Sequence, residues 1–283
     1  MNLGQFTNKT KAALLPHFPE GEAKALTNEI FYRLKGYSSV DLVLKADIEV
    51  SDYLKEKVDS IVSRLLLDEP VQQIFGVARF YGMDFKITPD VLIPRPETAE
   101  LVDIIVKDFS NKSDLRVLDL CTGSGAIAIA LARNLPFSLV DAVDISEAAV
   151  TIACENAKTL KARVNFTVAD VFSLTPQHVY YDIIACNPPY ITESEKSEVE
   201  PNVLLYEPPT ALFVPDSDPL IFFRSVSRYA MKALKPSGAI YFEINPHYAA
   251  PLKKMLEDDG WNDTQILRDS YGKQRFAIVK KLR

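Results

Sequence analysis

From Leu101 onward, short apolar segments alternate with segments of helical periodicity, and this alternation constrains the fold more than any other feature. Parallel strands need long crossover connections, which helices usually supply, so the pattern predicts a doubly wound, mainly parallel α/β sheet. The predicted strands cover 116–120, 139–143, 163–168, 182–186 and 239–244, and the predicted helices cover 101–109, 126–133, 147–160, 218–234 and 249–259.

The end of the chain follows a different pattern. Two strand-like segments, 263–267 and 275–280, are separated by Asp-Ser-Tyr-Gly-Lys, which is a turn sequence with no room for a helix. Strands joined by a tight turn are antiparallel, so we expect one antiparallel strand to close the sheet.

The region before the sheet is helical in character. Residues 7–69 carry apolar residues at spacings of three and four, most clearly in 23–35 and 53–67, which predicts a small helical bundle. Residues 70–96 alternate, are rich in aromatic residues and contain glycine and proline, as expected of a hairpin-like connector. We therefore expect a helical domain over 1–75, a connector over 76–98 and a catalytic domain over 99–283.

Composition narrows the class of protein. A length of 283 residues suits one catalytic domain with an accessory domain. The net charge of −6 argues against a protein whose affinity depends on neutralising many phosphates, although a local basic patch remains possible. The three cysteines are widely spaced, and we expect reduced core thiols with no disulfide and no metal site. Because we find neither the apolar core of a signal peptide nor an apolar run long enough to cross a membrane, we expect a cytoplasmic protein. We also expect a monomer.

The segment Val-Leu-Asp-Leu-Cys-Thr-Gly-Ser-Gly, at 117–125, leads from an apolar strand through a tight turn into a helix of small residues. Glycines let the backbone approach a ligand closely, and a helix start offers unpaired amide donors. Gly123, Gly125 and Ala128 also satisfy the dinucleotide fingerprint, with Asp144 about twenty residues on. This motif alone leaves open a nicotinamide or flavin enzyme, a methyltransferase and a purely structural turn.

Two aspartates follow predicted strands. Asp144 ends the second strand of the sheet, where its carboxylate can accept from ribose hydroxyls; the alternative is a helix cap, for which Ser146 is better placed. Asp170 follows the third strand, where it can accept from an adenine amino group beside the apolar Val171 and Phe172. A turn aspartate is the alternative for Asp170.

The tetrapeptide Asn187-Pro188-Pro189-Tyr190 directly follows an apolar strand, so it should face the same cleft as the glycine turn. An amide nitrogen is a poor nucleophile, because its lone pair is delocalised into the carbonyl group. The Asn187 oxygen and the Pro188 carbonyl can each accept one of its protons, the prolines stiffen the backbone, and Tyr190 can stack on the planar group. The combination of motifs predicts transfer of a methyl group to a planar amide or amine nitrogen.

Several segments together resemble a known family, the protein-(glutamine-N5) methyltransferases of the HemK/PrmC type, which modify peptide chain release factors. The resemblance covers essentially the whole chain. The segments that carry it are PVQQIFG at 70–76, VLIPRPETAELV at 91–102, VLDLCTGSGAIAIALA at 117–132, NPPY at 187–190, YEPPTAL at 206–212, ALKPSGAIYFEI at 233–244 and DSYGKQRF at 269–276.

This resemblance implies a class I methyltransferase that uses S-adenosylmethionine to methylate the glutamine of the Gly-Gly-Gln tripeptide of release factors. It implies an N-terminal helical domain that helps dock the release factor. By position, Asp144 would bind ribose, and Asp170 with Val171 would line the adenine pocket. The loop Cys121, Thr122, Gly123, Ser124 and Gly125 would hold the methionine part, with Asn187 alongside, and the substrate would contact Asn187, Pro188, Pro189, Tyr190, Arg95 and Glu97. Arg95 to Thr98 would line the entrance for cofactor and substrate; the alternative for these connector residues is packing of the domain linker.

Two departures from the family pattern bear on the substrate. The family usually has PETE where this chain has Ala99 after Thr98, and it has a glycine pair followed by Asp-Gly-Leu where this chain has Val-Pro-Asp-Ser-Asp-Pro-Leu at 214–220. Neither touches the proposed chemical groups. The main alternative is an amino-methyltransferase acting on adenine or guanine in DNA or RNA, which would need a basic groove or recognition domain. A non-catalytic cofactor-binding module is a second alternative, but it would be expected to lose Asn187 or the glycine turn.

Overall fold

The computed structural model describes residues 1–176 and 178–281. These residues form two compact units, Met1–Gly76 and Val77–Arg283. Within the part of the chain that is described, no helix is both long enough and apolar enough to cross a membrane.

The first unit is a bundle of short helices, as the spacing of its apolar residues predicts. Its helices are α1 (Leu3–Leu14), α2 (Glu20–Lys35), α3 (Ser39–Leu44), α4 (Asp52–Leu65) and α5 (Val71–Phe75). Side chains of Asn2, Ser38 and Ser51 accept hydrogen bonds from backbone amides at the starts of α1, α3 and α4, which fixes where these helices begin. The core of the unit is apolar and includes Phe6 and Phe31, whose rings meet edge to face.

The second unit starts with a small hairpin. Strands β1 (Val77–Phe80) and β2 (Met83–Lys86) are antiparallel and are joined by Tyr81 and Gly82, both with positive φ, as expected of a tight hairpin turn. Residues 87–95, which connect this hairpin to α6, belong to the second compact unit.

The rest of the second unit alternates helices and strands around one central sheet. In chain order its elements are α6 (Pro96–Asp108), β3 (Arg116–Leu120), α7 (Ala126–Asn134), β4 (Leu139–Asp144), α8 (Glu147–Thr159), β5 (Val164–Val168), β6 (Tyr181–Cys186), β7 (Ile191–Thr192), α9 (Pro201–Tyr206), β8 (Phe213–Val214), α10 (Ile221–Ala233), β9 (Leu234–Glu243), α11 (Ala249–Asp258), β10 (Asp263–Arg268) and β11 (Gln274–Lys280).

The central sheet has seven strands in the order β10-β11-β9-β6-β3-β4-β5. Every pairing is parallel except those of β11, which runs antiparallel to both β9 and β10. The doubly wound fold with one antiparallel strand is therefore confirmed. The antiparallel strand does not close the sheet, however, because the turn at 269–273 folds β10 back beside it, and β10 forms the edge.

Two apolar clusters cover the two faces of this sheet, so the central strands are buried on both sides. Some predicted boundaries move. Helix α6 begins at Pro96, five residues early, because proline is well suited to the first turn of a helix. Helix α10 begins at Ile221, three residues later than predicted, and β9 begins at Leu234.

The three cysteines are free thiols in the structure, but the expectation that all of them belong to the core is wrong for Cys154, which is exposed on α8. Cys186 is buried in β6, and Cys121 is half-buried against the core. Cys154 lies on the solvent-exposed side of an amphipathic helix. One small apolar residue does not show on which side of such a helix it lies.

Candidate active site

A cavity of about 350 Å³ opens at the carboxyl ends of the parallel strands, within the size range of small-molecule sites. Strand β3 pairs with β4 on one side and with β6 on the other, so the order of the strands reverses at this point of the sheet. Doubly wound folds bind their ligands at such a switch point. Predicted site residues that line the cavity are Cys121, Gly123, Asp144, Asp170, Val171, Asn187 and Pro189. Among the described residues, the lining does not include Thr122, Ser124, Gly125, Pro188, Tyr190, Arg95 or Glu97.

The two glycines of the tight turn differ in what surrounds them. Gly123 has φ of +54° and nothing within 4 Å of where a side chain would start, so its backbone is open to a ligand in the cavity. Gly125 has φ of +81°, and a side chain there would meet Ala153 and Ile129 at 3.1 Å. Gly125 is thus needed for packing of the turn against α7 and α8, whereas Gly123 leaves space for a ligand.

The other residues of the turn brace it from behind. The Thr122 hydroxyl donates to Oδ2 of Asp119 at 2.6 Å, and the amide of Ala128 donates to the same oxygen at 3.1 Å. The Ser124 carbonyl accepts from the Asn156 side chain at 2.9 Å. Asp119 is fully buried, and burial raises its pKa to about 7. No described residue hydrogen-bonds to its Oδ1.

Asp144 joins the glycine turn to the start of α8. Its Oδ2 accepts from the Gly123 amide at 2.8 Å and its Oδ1 accepts from the Ser146 amide at 3.0 Å. The Ser146 side chain caps α8 by accepting from Ala149, as the sequence predicts. Burial raises the pKa of Asp144, and these amide hydrogen bonds oppose the rise. The carboxylate therefore faces the cavity while it also holds the turn.

Asp170 lies in a turn beyond β5, the strand at one edge of the sheet, and is separated from the tetrapeptide after β6 by the ends of β3 and β4. Its Oδ1 accepts from the Phe172 amide at 2.9 Å, so the aspartate also shapes its own turn. Val171 is buried, and Phe172 packs on Phe222 with ring centroids 4.8 Å apart. The Asp170 carboxylate matches the polar edge of an adenine ring, and the apolar side chains match its faces.

The tetrapeptide 187–190 leaves the end of β6 as predicted, with Pro188 and Pro189 buried. The Asn187 side-chain nitrogen donates to the Thr98 hydroxyl at 3.3 Å. Tyr190 donates its hydroxyl to Oε1 of Glu243 at 3.0 Å, and burial with the nearby Glu243 carboxylate raises the pKa of Tyr190.

Glu243 was not predicted as a site residue, although it lies in one of the segments that carry the family resemblance. It ends β9, is only 2% exposed, and its Oε2 accepts from Thr98 at 2.6 Å. Burial raises its pKa, while its two hydroxyl donors and the neighbouring Arg275 lower it. An acidic residue at the end of a buried strand is the sequence feature that could have revealed it.

Arg95 and Glu97 are placed differently from each other. The Arg95 guanidinium forms an ion pair with the buried Glu207, whose other oxygen accepts from the Ile93 amide at 3.0 Å. Arg95 thereby ties the connector to the loop that follows α9. Glu97 is half-buried in the first turn of α6.

Sequence reasoning also missed an apolar wall of the cavity. It is formed by residues on three segments far apart in the chain, two of which lie mainly in loops while the third is the first turn of α10, namely Val91, Leu92, Pro208, Ala211, Phe213 and Phe222. The segment 206–212 is one of those that carry the family resemblance, but its role cannot be predicted from sequence, because loop sequences carry no periodicity that shows which way they face.

These features suit a nucleoside-containing cofactor. The open backbone at Gly123 allows a ligand to approach closely, and the Asp144 carboxylate can accept from a hydroxyl group. The apolar wall beside Asp170 leaves a slot of the size of an aromatic ring. Asn187 lines the same cavity and places an amide next to that ligand.

Comparison with known proteins agrees with this description. Residues 101–212 match the family model described as methyltransferase small domain. Solved structures with the same fold include the human methyltransferase 10 domain containing protein, with a TM-score of 0.52 and 19% identity over 72% of this chain and 91% of that one. A methyltransferase from Pyrococcus furiosus has a TM-score of 0.51 and 16% identity over 78% of this chain and 98% of that one. The chain is a class I methyltransferase dependent on S-adenosylmethionine.

Curated relatives make the assignment more specific. A protein of Bacteroides thetaiotaomicron is 45% identical over 99% of this chain and all of its own length, and one of Flavobacterium psychrophilum is 37% identical over 94% of this chain and 95% of its own. One of Streptococcus pneumoniae is 37% identical over 99% of this chain and 98% of its own. All three are named release factor glutamine methyltransferase. The chain belongs to the release factor glutamine methyltransferase family.

Proposed function

We propose that this protein transfers a methyl group from S-adenosylmethionine to the side-chain amide nitrogen of the glutamine in the Gly-Gly-Gln motif of peptide chain release factors. The observation that carries the proposal is the presence of Asn187 in the same cavity as Gly123 and Asp144, in a chain whose curated relatives are named for this activity.

The cofactor would be held by residues at three strand ends. Asp144 would accept from the ribose hydroxyls, and Asp170 with Val171 would contact the adenine. The turn 121–125 would contact the methionine part through its backbone, with Gly123 as the point of closest approach. When bound, S-adenosylmethionine supplies a methyl group on a positively charged sulfur.

The acceptor amide would be held by the tetrapeptide after β6. Its nitrogen carries two protons, and two acceptors are needed to turn its lone pair toward the methyl group. The Asn187 Oδ1 and the Pro188 carbonyl are both free to serve, because no described residue donates a hydrogen bond to either. Fixing both reactants in this way is a positioning effect, which can lower a barrier by up to about 7–11 kcal/mol.

The first compact unit, Met1–Gly76, would dock the release factor. A pocket that grips one planar amide cannot tell one glutamine from another, so selectivity must come from contacts made elsewhere. On α3, the side chains of Val40, Val43 and Leu44 are all more than 60% exposed, which is an unusual density of exposed apolar groups for a six-residue helix. They offer a surface for a protein partner.

The test is methyl transfer to a purified, folded release factor, followed by mass spectrometry of its peptides. We expect one methyl group on the tripeptide glutamine. A release factor with that glutamine replaced by alanine is the matched control and should accept no methyl group. Equal methylation of the two release factors, or transfer to adenine or guanine in added nucleic acid with none to protein, would refute the proposal.

A further inference from the structure

A chain of hydrogen bonds lies behind Asn187 and connects three separate elements of the catalytic unit. Asn187 follows β6, Thr98 is in the first turn of α6, and Glu243 ends β9. The Asn187 nitrogen donates to the Thr98 hydroxyl at 3.3 Å, and that hydroxyl donates to Glu243 at 2.6 Å. We propose that Thr98 and Glu243 are positioning residues, which hold the Asn187 amide with its oxygen toward the acceptor and its nitrogen away from it.

The direction of each hydrogen bond follows from the chemistry of the groups. An ionised carboxylate only accepts, and a hydroxyl has a single proton. Glu243 receives a hydroxyl proton on each oxygen, from Thr98 on Oε2 and from Tyr190 on Oε1. The proton of Thr98 is therefore committed to Glu243, and its oxygen has only lone pairs left to offer Asn187.

A side-chain amide can satisfy those lone pairs only with its nitrogen. The oxygen of Asn187 must then point the other way, and Asn187 lines the cavity. A substrate amide presents two N–H donors, so an oxygen is the group it needs to meet. If the Asn187 amide were reversed, its N–H groups would face the N–H groups of the substrate amide, and the Thr98 oxygen would have no donor.

The elements that carry these groups make the arrangement stiff. Thr98 is 4% exposed and Glu243 is 2% exposed, so water has little access to either partner. The Tyr190 hydroxyl binds the same carboxylate, so one buried residue fixes both ends of the tetrapeptide 187–190. Preorganised polar groups of this kind lower a barrier because they need not reorient during the reaction.

This inference rests on the proposed function, in that it concerns how the same site grips the acceptor. A purely structural network is the competing explanation. It predicts that loss of the Thr98 hydroxyl lowers thermal stability alone, whereas a positioning role predicts a loss of turnover that is specific to the acceptor side.

The decisive variants are Thr98→Val, which removes the hydroxyl at nearly constant shape, and Thr98→Ser, which keeps the hydroxyl. Thr264→Val is the matched control, because Thr264 is also buried and its hydroxyl has no partner among the described residues. For Thr98→Val we expect kcat to fall about tenfold, equivalent to about 1.4 kcal/mol, with KM for the acceptor and Kd for S-adenosylmethionine changed less than about threefold. Thr98→Ser should stay within about threefold of the wild-type kcat, and Thr264→Val should be unchanged.

A second measurement needs no acceptor and so separates this inference from the proposed function. In a nitrogen-15 NMR spectrum of the wild-type enzyme, the Asn187 side-chain amide, assigned by its loss in Asn187→Ala, should exchange slowly with water. In Thr98→Val its signal should shift and exchange faster, and Thr98→Ser should resemble the wild type.

The outcomes are separable. A slowly exchanging Asn187 amide in an enzyme that does not methylate release factors would leave the positioning role standing and refute the proposed function. Rapid exchange of that amide in the wild type, or a kcat of Thr98→Val within twofold of wild type, would overturn the positioning role. If Thr98→Val does not fold, the wild-type exchange rate of the Asn187 amide decides the question.

Discussion

Replacing Asp144 by asparagine separates a cofactor contact from support of the glycine turn. In the folded protein the two carboxylate oxygens accept from the Gly123 amide at 2.8 Å and from the Ser146 amide at 3.0 Å. Asparagine keeps the shape but has one acceptor oxygen in place of two, and it carries no charge. Any contact that needs a charged acceptor for ribose hydroxyls is weakened.

The size of the effect follows from the worth of such hydrogen bonds. A hydrogen bond to a charged group contributes about 1.5–3 kcal/mol, and each 1.4 kcal/mol is a factor of ten, so affinity for S-adenosylmethionine should fall roughly 10- to 150-fold. The stability of the protein should change less. One amide hydrogen bond is lost, but burial already penalises the charged form of Asp144, as its raised pKa indicates, and asparagine relieves that penalty.

The assay is calorimetric titration with S-adenosylmethionine, combined with thermal unfolding. Asp141→Asn is the matched control, because Asp141 is on the same strand, is also half-buried and also accepts two hydrogen bonds, from Asn165 and Tyr181, but does not line the cavity. We expect Asp141→Asn to bind the cofactor normally. A cofactor affinity of Asp144→Asn within twofold of wild type, or an equal loss in both variants, would refute the ribose role and leave Asp144 as a support of the turn.

Three further predictions concern other parts of the molecule. Asn187→Ala should leave cofactor binding within a few-fold and lower turnover on the order of a hundredfold, since it removes a preorganised contact to the acceptor; initial rates that stay near wild type would contradict this. Asp119 has a pKa raised from 3.8 to about 7, so the folded state binds its proton more tightly than the unfolded state and this residue's contribution to stability decreases as pH rises toward 7. Asp119→Asn should therefore gain about 3 kcal/mol of stability relative to wild type between pH 5 and pH 8, and urea unfolding curves whose difference is independent of pH would exclude this. Replacing Val43 and Leu44 together by aspartate should raise KM for intact release factor about tenfold, equivalent to about 1.4 kcal/mol, without changing cofactor binding. Phe137→Asp, at an exposed apolar site in the loop between α7 and β4, is the control, and an equal KM effect there would count against docking by α3.

The fold could be predicted because its elements carry strong local patterns. Strands β3 and β6 are short apolar runs buried on both faces, and their lengths and flanking turns distinguish them from helices. The position of β10 at the sheet edge could not be read in the same way. A hairpin can add to a sheet through either of its strands, and the choice depends on packing against distant residues, not on the hairpin sequence.

The site could be predicted in part for a similar reason. Gly123 and Asn187 follow parallel strands and Asp144 ends one, and all such strand ends meet at one edge, so their presence in a single cavity follows from the topology. Thr98 and Glu243 are 145 residues apart in sequence, and no local pattern pairs them. Arg95 was expected near the substrate, but its ion pair with Glu207 became visible only in three dimensions.

The most direct test of the proposed activity is a competition in one reaction vessel. Intact release factor, a short Gly-Gly-Gln peptide and total nucleic acid, at matched concentrations of acceptor groups, would be incubated with the enzyme and labelled S-adenosylmethionine. We expect the label almost entirely on the tripeptide glutamine of the intact release factor, with little on the peptide and none on nucleic acid. Label on adenine or guanine would contradict the assigned acceptor, and equal labelling of peptide and protein would contradict the docking role of the first unit.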